Sequence, residues 1–160
     1  MAMDAQPFLD FMTQVRSCSP ATIKSYRNDL KIIFDHLLEQ GVTMPRQIDQ
    51  HVVAGLVSWM REQRPGRGGN EGLAESSISR RMAVLSSYLD WAQLALNPDI
   101  QNPIKNLSFR WKKDRSPKPV DDDSLDFLLA NIENLRDKAL YYLLVASGLR
   151  VSEVHQLRNL

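Results

Sequence analysis

SPATIKSYRNDLKIIFDHLLEQG, residues 19–41, is the stretch whose reading decides the fold. Ser19 offers a side-chain oxygen to cap a helix start, and Pro20 suits the first helical position because its missing N–H would have no partner there. Ile23, Tyr26, Leu30, Ile33, Phe34, Leu37 and Leu38 then recur every three or four residues, the period of one helix face. Gly41 can adopt the left-handed conformation that stops the helix. Away from that apolar stripe, Lys24, Arg27 and Lys31 stand at i, i+3 and i+7, so they share a face of their own. A helix with one apolar face needs other helices or a sheet to cover it, and the flanking sequence offers helices.

On the N-terminal side, Phe8, Phe11, Met12 and Val15 make a short stripe. On the C-terminal side a third helix is predicted from about Asp49 to Gln63, with Val53, Leu56, Val57 and Met60 inward. RPGRGGNEG follows; no G-K-[ST] comes after its glycines and no strand precedes them, so it reads as a tether and not a phosphate cradle. A fourth helix starts near Ser76 or Ser77, buries Ile78, Met82, Leu85, Leu89 and Ala92, and stops before Asn97-Pro98. Ser77, Ser79, Arg80 and Arg81 crowd its first turns. Four such helices close a small bundle.

Beyond NPIKNL the character changes. From Lys105 to Lys118 there are six basic residues (Lys105, Arg110, Lys112, Lys113, Arg115, Lys118) against Asp114, a local charge of +5 in a chain whose net charge is only +1. Two prolines and no helical stripe make SFRWKKDRSPKPV an extended linker. Asp121, Asp122 and Asp123 come next, where acids complement a helix N-terminus; consecutive side chains there diverge, so capping is the reading over a metal site. Leu125, Leu128, Leu129 and Ile132 give that helix its stripe. Leu135 to Ser147 is apolar enough for a core helix, Gly148 breaks it, and Val151, Val154 and Leu157 open another.

Composition bounds the rest. With 160 residues, 43% hydrophobic and 24% charged, the chain fits a globular protein with one good core or two small ones. No apolar run reaches the ~18 residues a membrane span needs, and the N-terminus has an acid in place of a basic leader, which gives a cytoplasmic reading. Cys18 is the single cysteine, so no disulfide framework and no thiolate cluster is expected. Two helix faces bearing cations or hydroxyls, joined to a +5 linker, are what a protein gripping double-stranded DNA needs: phosphate contacts supply affinity while helix residues read groove edges. Each face taken alone also reads as an ordinary solvated one.

The order of these segments resembles the tyrosine recombinases, or phage integrases. SPATIKSYRNDLKIIFDHLLEQG is similar to their second core-binding helix, SSISRRMAVLSSYLDWA to their fourth, NPIKNL to the helix exit, and KPVDDDSLDFLLANI to the entry of the catalytic domain. YLLVASGLRVSEVHQL is similar to their first catalytic box, an aliphatic helix followed by Gly-Leu-Arg, an aliphatic residue, and Ser-Glu. The resemblance implies an all-α fold: a SAM-like four-helix core-binding bundle at residues 1–104, a basic linker at 105–120, and the first helices of an incomplete integrase catalytic domain at 121–160.

What it implies for function is the DNA-binding N-terminal portion of a site-specific recombinase that cuts and rejoins DNA through a phosphotyrosyl intermediate. Such an enzyme needs no cofactor, because the bond energy is kept in the enzyme–DNA ester. Arg150 would bind the scissile phosphate, its planar fork mounted on a fixed backbone after Gly148, with Leu149 anchored in the core and Glu153 orienting the guanidinium. DNA contacts fall to Lys24, Arg27, Lys31, Ser77, Ser79, Arg80, Arg81, Lys112, Lys113 and Arg115, and no metal site is implied. The family's remaining catalytic groups lie beyond the first box, and none of Tyr26, Tyr88, Tyr141 and Tyr142 matches its nucleophile; all four read as core or core-edge residues, so the chain by itself is expected to bind DNA without cleaving it. His155 to Arg158 spells His-x-x-Arg, but on the helix directly after Arg150, where the family has structural residues. Self-association is expected, as the family acts as an oligomer on DNA. A short non-catalytic DNA-binding regulator of the same descent and a helical protein-interaction module remain as alternatives.

Overall fold

The computed structural model describes residues 3–62, 73–107 and 119–157. Every regular element among them is helical: α1 (Gln6–Gln14), α2 (Pro20–Glu39), α3 (Gln50–Glu62), α4 (Glu75–Ala95), α5 (Asp122–Ala130), α6 (Leu135–Ser147) and α7 (Val151–Gln156), with 3-10 turns at Pro45–Gln47 and Pro103–Asn106. The chain divides into two compact units, Met1–Lys113 and Asp114–Leu160.

In the first unit α2 forms as its sequence requires. The Ser19 hydroxyl accepts the Thr22 N–H at 3.2 Å, and at the far end Gly41 takes φ +79° while Val42 N–H reaches back to the Leu37 carbonyl at 2.9 Å. The first satisfies an N–H and the second a carbonyl that the helix ends leave without partners, and the turn drives Val42 into the core. Leu30, Ile33, Phe34 and Leu37 of α2 meet Val53, Leu56, Val57 and Met60 of α3 and Ile78, Met82, Leu85, Leu89 and Ala92 of α4 in one cluster. Tyr88 lies at its centre, edge-on to Phe34 at 5.0 Å and to Phe8 at 5.7 Å.

Three residues differ from the sequence expectation. Val15 is exposed and Leu9 buried, because α1 ends at Gln14 and its inward face turns on Phe8 and Leu9. Leu38 is exposed as well: the stripe of α2 narrows to Leu37 in the last turn, where the chain bends into Val42. After α4, the Asn102 amide donates to the Ser86 carbonyl at 3.0 Å and to Asp90 Oδ1 at 2.7 Å, and Lys105 Nζ pairs with the same Asp90 oxygen at 2.8 Å. These bonds hold the exit of the bundle against α4.

The second unit has the predicted helices and caps. Asp121 accepts the Ser124 N–H at 2.7 Å and its hydroxyl at 2.9 Å, and these bonds hold the Asp121 carboxyl below the ordinary aspartate range. Gly148 ends α6 at φ +64°. Tyr141 Oη donates to the Leu125 carbonyl at 2.6 Å and ties α6 to α5. The expectation that α6 is a core helix is corrected, since none of the described residues of α5, α6 or α7 is fully buried. Leu128, Tyr142, Leu143, Val145, Val151 and Leu157 are all exposed, with Leu157 just past the end of α7, and Leu149 is half-buried where a core anchor was expected. These side chains have no facing layer within a unit of three short helices.

Candidate nucleic-acid interface

On α2, Lys24, Arg27 and Lys31 are all exposed, as their spacing predicts. Among the described residues no carboxylate pairs with any of them; Arg27 has only a 3.4 Å bond to Gln6 Oε1 on α1. They form an open cationic stripe along the edge of the apolar face.

The basic turns of α4 are built differently. Arg80 donates from one terminal nitrogen to Ser25 Oγ at 2.6 Å and from the other to Asp29 Oδ1 at 3.0 Å. Arg81 Nε approaches the same Oδ1 at 3.5 Å, close enough for an ion pair but outside hydrogen-bond geometry, and Asp29 Oδ2 is left without a partner among the described residues. Side-chain exposure separates the two arginines: 53% for Arg80 and 14% for Arg81, over an Asp29 at 3%. Arg81 was expected to face DNA, and the structure places it inside the α2–α4 contact instead. Burying a carboxylate is costly unless cations meet it, and Arg81 is the deeper of the two that do. Ser77 and Ser79 are half-buried on the same turns.

Because successive helix residues rotate ~100°, Arg27 and Asp29 leave α2 in directions ~160° apart. Arg27 therefore lies on the α1 flank and Arg80 on the α4 flank, with Lys24 and Asn28 between. The structure brings Arg80 and Arg81 together through Asp29. Asp29 and Ser25 were missed from sequence. The signal was present, since Asp29 is three residues after Tyr26 and four before Ile33, a charged residue in step with the apolar stripe.

In the second unit Arg150 sits in extended backbone as the N-cap of α7. Glu153 holds it twice, accepting the Arg150 N–H on Oε2 at 2.7 Å and the guanidinium on Oε1 at 3.0 Å. This is half of a capping box, since an arginine has no acceptor to return. The Arg150 side chain is 82% exposed, so a fork fixed at its base stands open to solvent. The linker residues Lys112, Lys113 and Arg115 lie outside the described residues, as do the glycine-rich segment and Arg158 of the His-x-x-Arg stretch. Of the tyrosines, Tyr88 is in the core, Tyr26 is stacked on Phe8 at 6.3 Å, and Tyr141 is engaged with Leu125. Tyr142, read from sequence as core-edge, is exposed. Among the described residues no group of histidine, cysteine and carboxylate side chains could hold a metal ion, and no helix is long and apolar enough to cross a membrane.

The family described as phage integrase, N-terminal SAM-like domain, matches residues 5–95, and the chain belongs to it. Over most of its length the chain is also similar to proteins named tyrosine recombinase XerC. That of Actinobacillus succinogenes is 30% identical over 157 residues, 95% of this chain and 50% of the relative. The Vibrio parahaemolyticus protein is 32% identical over 152 residues, covering 92% and 46%. In Escherichia coli O139:H28 the identity is 29% over 155 residues, covering 94% and 49%. The chain spans about half the length of the curated relatives it matches. No solved structure gives a significant match.

Proposed function

We propose that this chain is the part of a site-specific tyrosine recombinase that grips duplex DNA and carries the first catalytic arginine. The observation that carries the reading is the open stripe of Lys24, Arg27 and Lys31, three cations without a described carboxylate partner on a domain of the phage integrase family. Cations that are not internally neutralised can displace the counterions of a duplex, and this supplies most of the affinity. Arg80, with Ser77 and Ser79, extends the surface along α4, and the basic residues Lys112, Lys113 and Arg115 add phosphate contacts. Arg81 contributes through the buried contact with Asp29.

Arg150 binds the phosphate at which the parent enzyme breaks and rejoins the strand, and Glu153 sets its orientation. An arginine fork suits the charge that spreads over phosphoryl oxygens during transfer, and a fixed backbone mount saves reorganisation at that step. The strand break itself, through a phosphotyrosyl ester, belongs to the whole enzyme and requires no cofactor. The domains run as 1–104 for the bundle, 105–120 for the linker and 121–160 for the start of the catalytic domain. The many exposed apolar side chains of α5–α7 support self-association, since exposed apolar surface of this kind marks an interface. Like the bacterial recombinases it resembles, the chain would act where the cell's DNA lies, in the cytoplasm.

Fluorescence anisotropy with a labelled mixed-sequence duplex tests the reading. Lys24→Glu, Arg27→Glu and Lys31→Glu combined are expected to lower affinity at least tenfold at moderate salt, with the helical circular dichroism unchanged. Undiminished binding by the triple variant overturns it.

A further inference from the structure

Asp29 has no place in an ordinary bundle core. Among the described residues it is the one buried charged side chain, and a well-packed apolar residue of similar size commonly serves a helix contact as well as a buried ion pair does. What an apolar residue would not do is hold Arg80. The Arg80 guanidinium is anchored at both terminal nitrogens, by Asp29 Oδ1 at 3.0 Å and Ser25 Oγ at 2.6 Å, while about half of the side chain stays in solvent. Its remaining N–H donors carry no partner among the described residues, and a guanidinium has five in a rigid plane.

We propose that Ser25 and Arg80 form a phosphodiester subsite and that Asp29 is its positioning residue, fixing the plane of the guanidinium toward one backbone phosphate of the duplex. This rests on the DNA-binding reading above. Arg81 is the counterpart that lets the device work: with two guanidinium groups against one carboxylate the cluster keeps a net positive charge, so Asp29 orients Arg80 without cancelling it. An arginine already held by two partners loses less conformational freedom when it meets the phosphate, which raises affinity without a new contact.

The proposal carries a sign that simple electrostatics does not share. Removing an acid beside a DNA-binding surface should by charge alone strengthen binding. Positioning predicts the reverse. A double-mutant cycle on the whole chain, with anisotropy on a labelled mixed-sequence duplex across a salt series, separates the two. Asp29→Asn is expected to weaken binding by about threefold or more and to reduce the salt slope as Arg80→Gln does, and it should have no further effect in the Arg80→Gln background. Ser25→Ala, which changes no charge and lies nearer the surface, is expected to weaken binding in the same direction at unchanged melting temperature. Equal or tighter binding by a folded Asp29→Asn protein overturns the proposal, and so does a loss of the same size with Arg80 already replaced. If Asp29→Asn does not fold, Ser25→Ala decides, and unchanged affinity there overturns it. A wild-type chain without salt-dependent binding would instead remove the DNA-binding reading on which the subsite rests.

Discussion

At the residue scale, single side chains divide into those whose setting is local and those set by a distant partner. Arg150 and Glu153 were legible because residues three apart at a helix start meet, and the two bonds between them follow from that spacing. Arg81 was not, because its partner Asp29 lies on another helix and nothing in the local pattern around Arg81 shows that its charge is already taken. Tyr88 was recognised as a core or core-edge residue, while the environment of its hydroxyl became visible only in the packed core. That hydroxyl is buried without a hydrogen-bond partner among the described residues, and burial pushes its pKa from the ordinary 10 to about 12. Tyr88→Phe removes a polar atom that costs free energy where it is, so the variant should melt at the same temperature as the parent or higher. The pH dependence follows from linkage: the folded state holds the tyrosine proton more tightly, so its contribution is complete below pH 10 and is lost as pH rises toward 12. The phenylalanine variant should lose less stability than the parent across that window, as thermal melts at several pH values would show. A steeper loss in the variant contradicts this account of Tyr88.

At the element scale, helix ends were the most legible feature. Ser19, Gly41, Asp121 and Gly148 each do what their chemistry allows, because capping is decided within four or five residues. Faces were less legible. Val15 and Leu38 were assigned inward on period alone, whereas which turn of a helix is covered depends on where the neighbouring helix crosses it. The same holds for α6, whose composition suits a core and whose described surroundings do not provide one. Gly41 permits a quantitative test. A Cβ there meets nothing within 4 Å, so Gly41→Ala would be strained only by its positive φ, a cost of about 1–2 kcal/mol. Denaturant unfolding of the first unit should show a loss of that size, and a neutral result would mean that the turn after α2 is not fixed as described.

At the scale of the whole molecule the two units differ in kind. The first holds every fully buried apolar residue among those described, and the second holds none. Apolar surface left in water forfeits ~25 cal/mol per Å², so a few such side chains amount to several kcal/mol, comparable to the stability of a small domain. Amide hydrogen exchange should therefore run much faster from Leu125 to Val154 than in α2, and should slow there as concentration rises if the exposed face self-associates. Exchange as slow as that of α2 in a monomeric sample would contradict the view that the apolar faces of this unit are uncovered. The central claim, that the chain grips a duplex through its phosphates, is tested most directly by the salt dependence of DNA binding. With several phosphate contacts from Lys24, Arg27, Lys31, Arg80 and the linker, the logarithm of the affinity should fall linearly with the logarithm of salt concentration, at a slope of about −0.9 per contact. A steep line is the predicted result; a flat response would contradict the account.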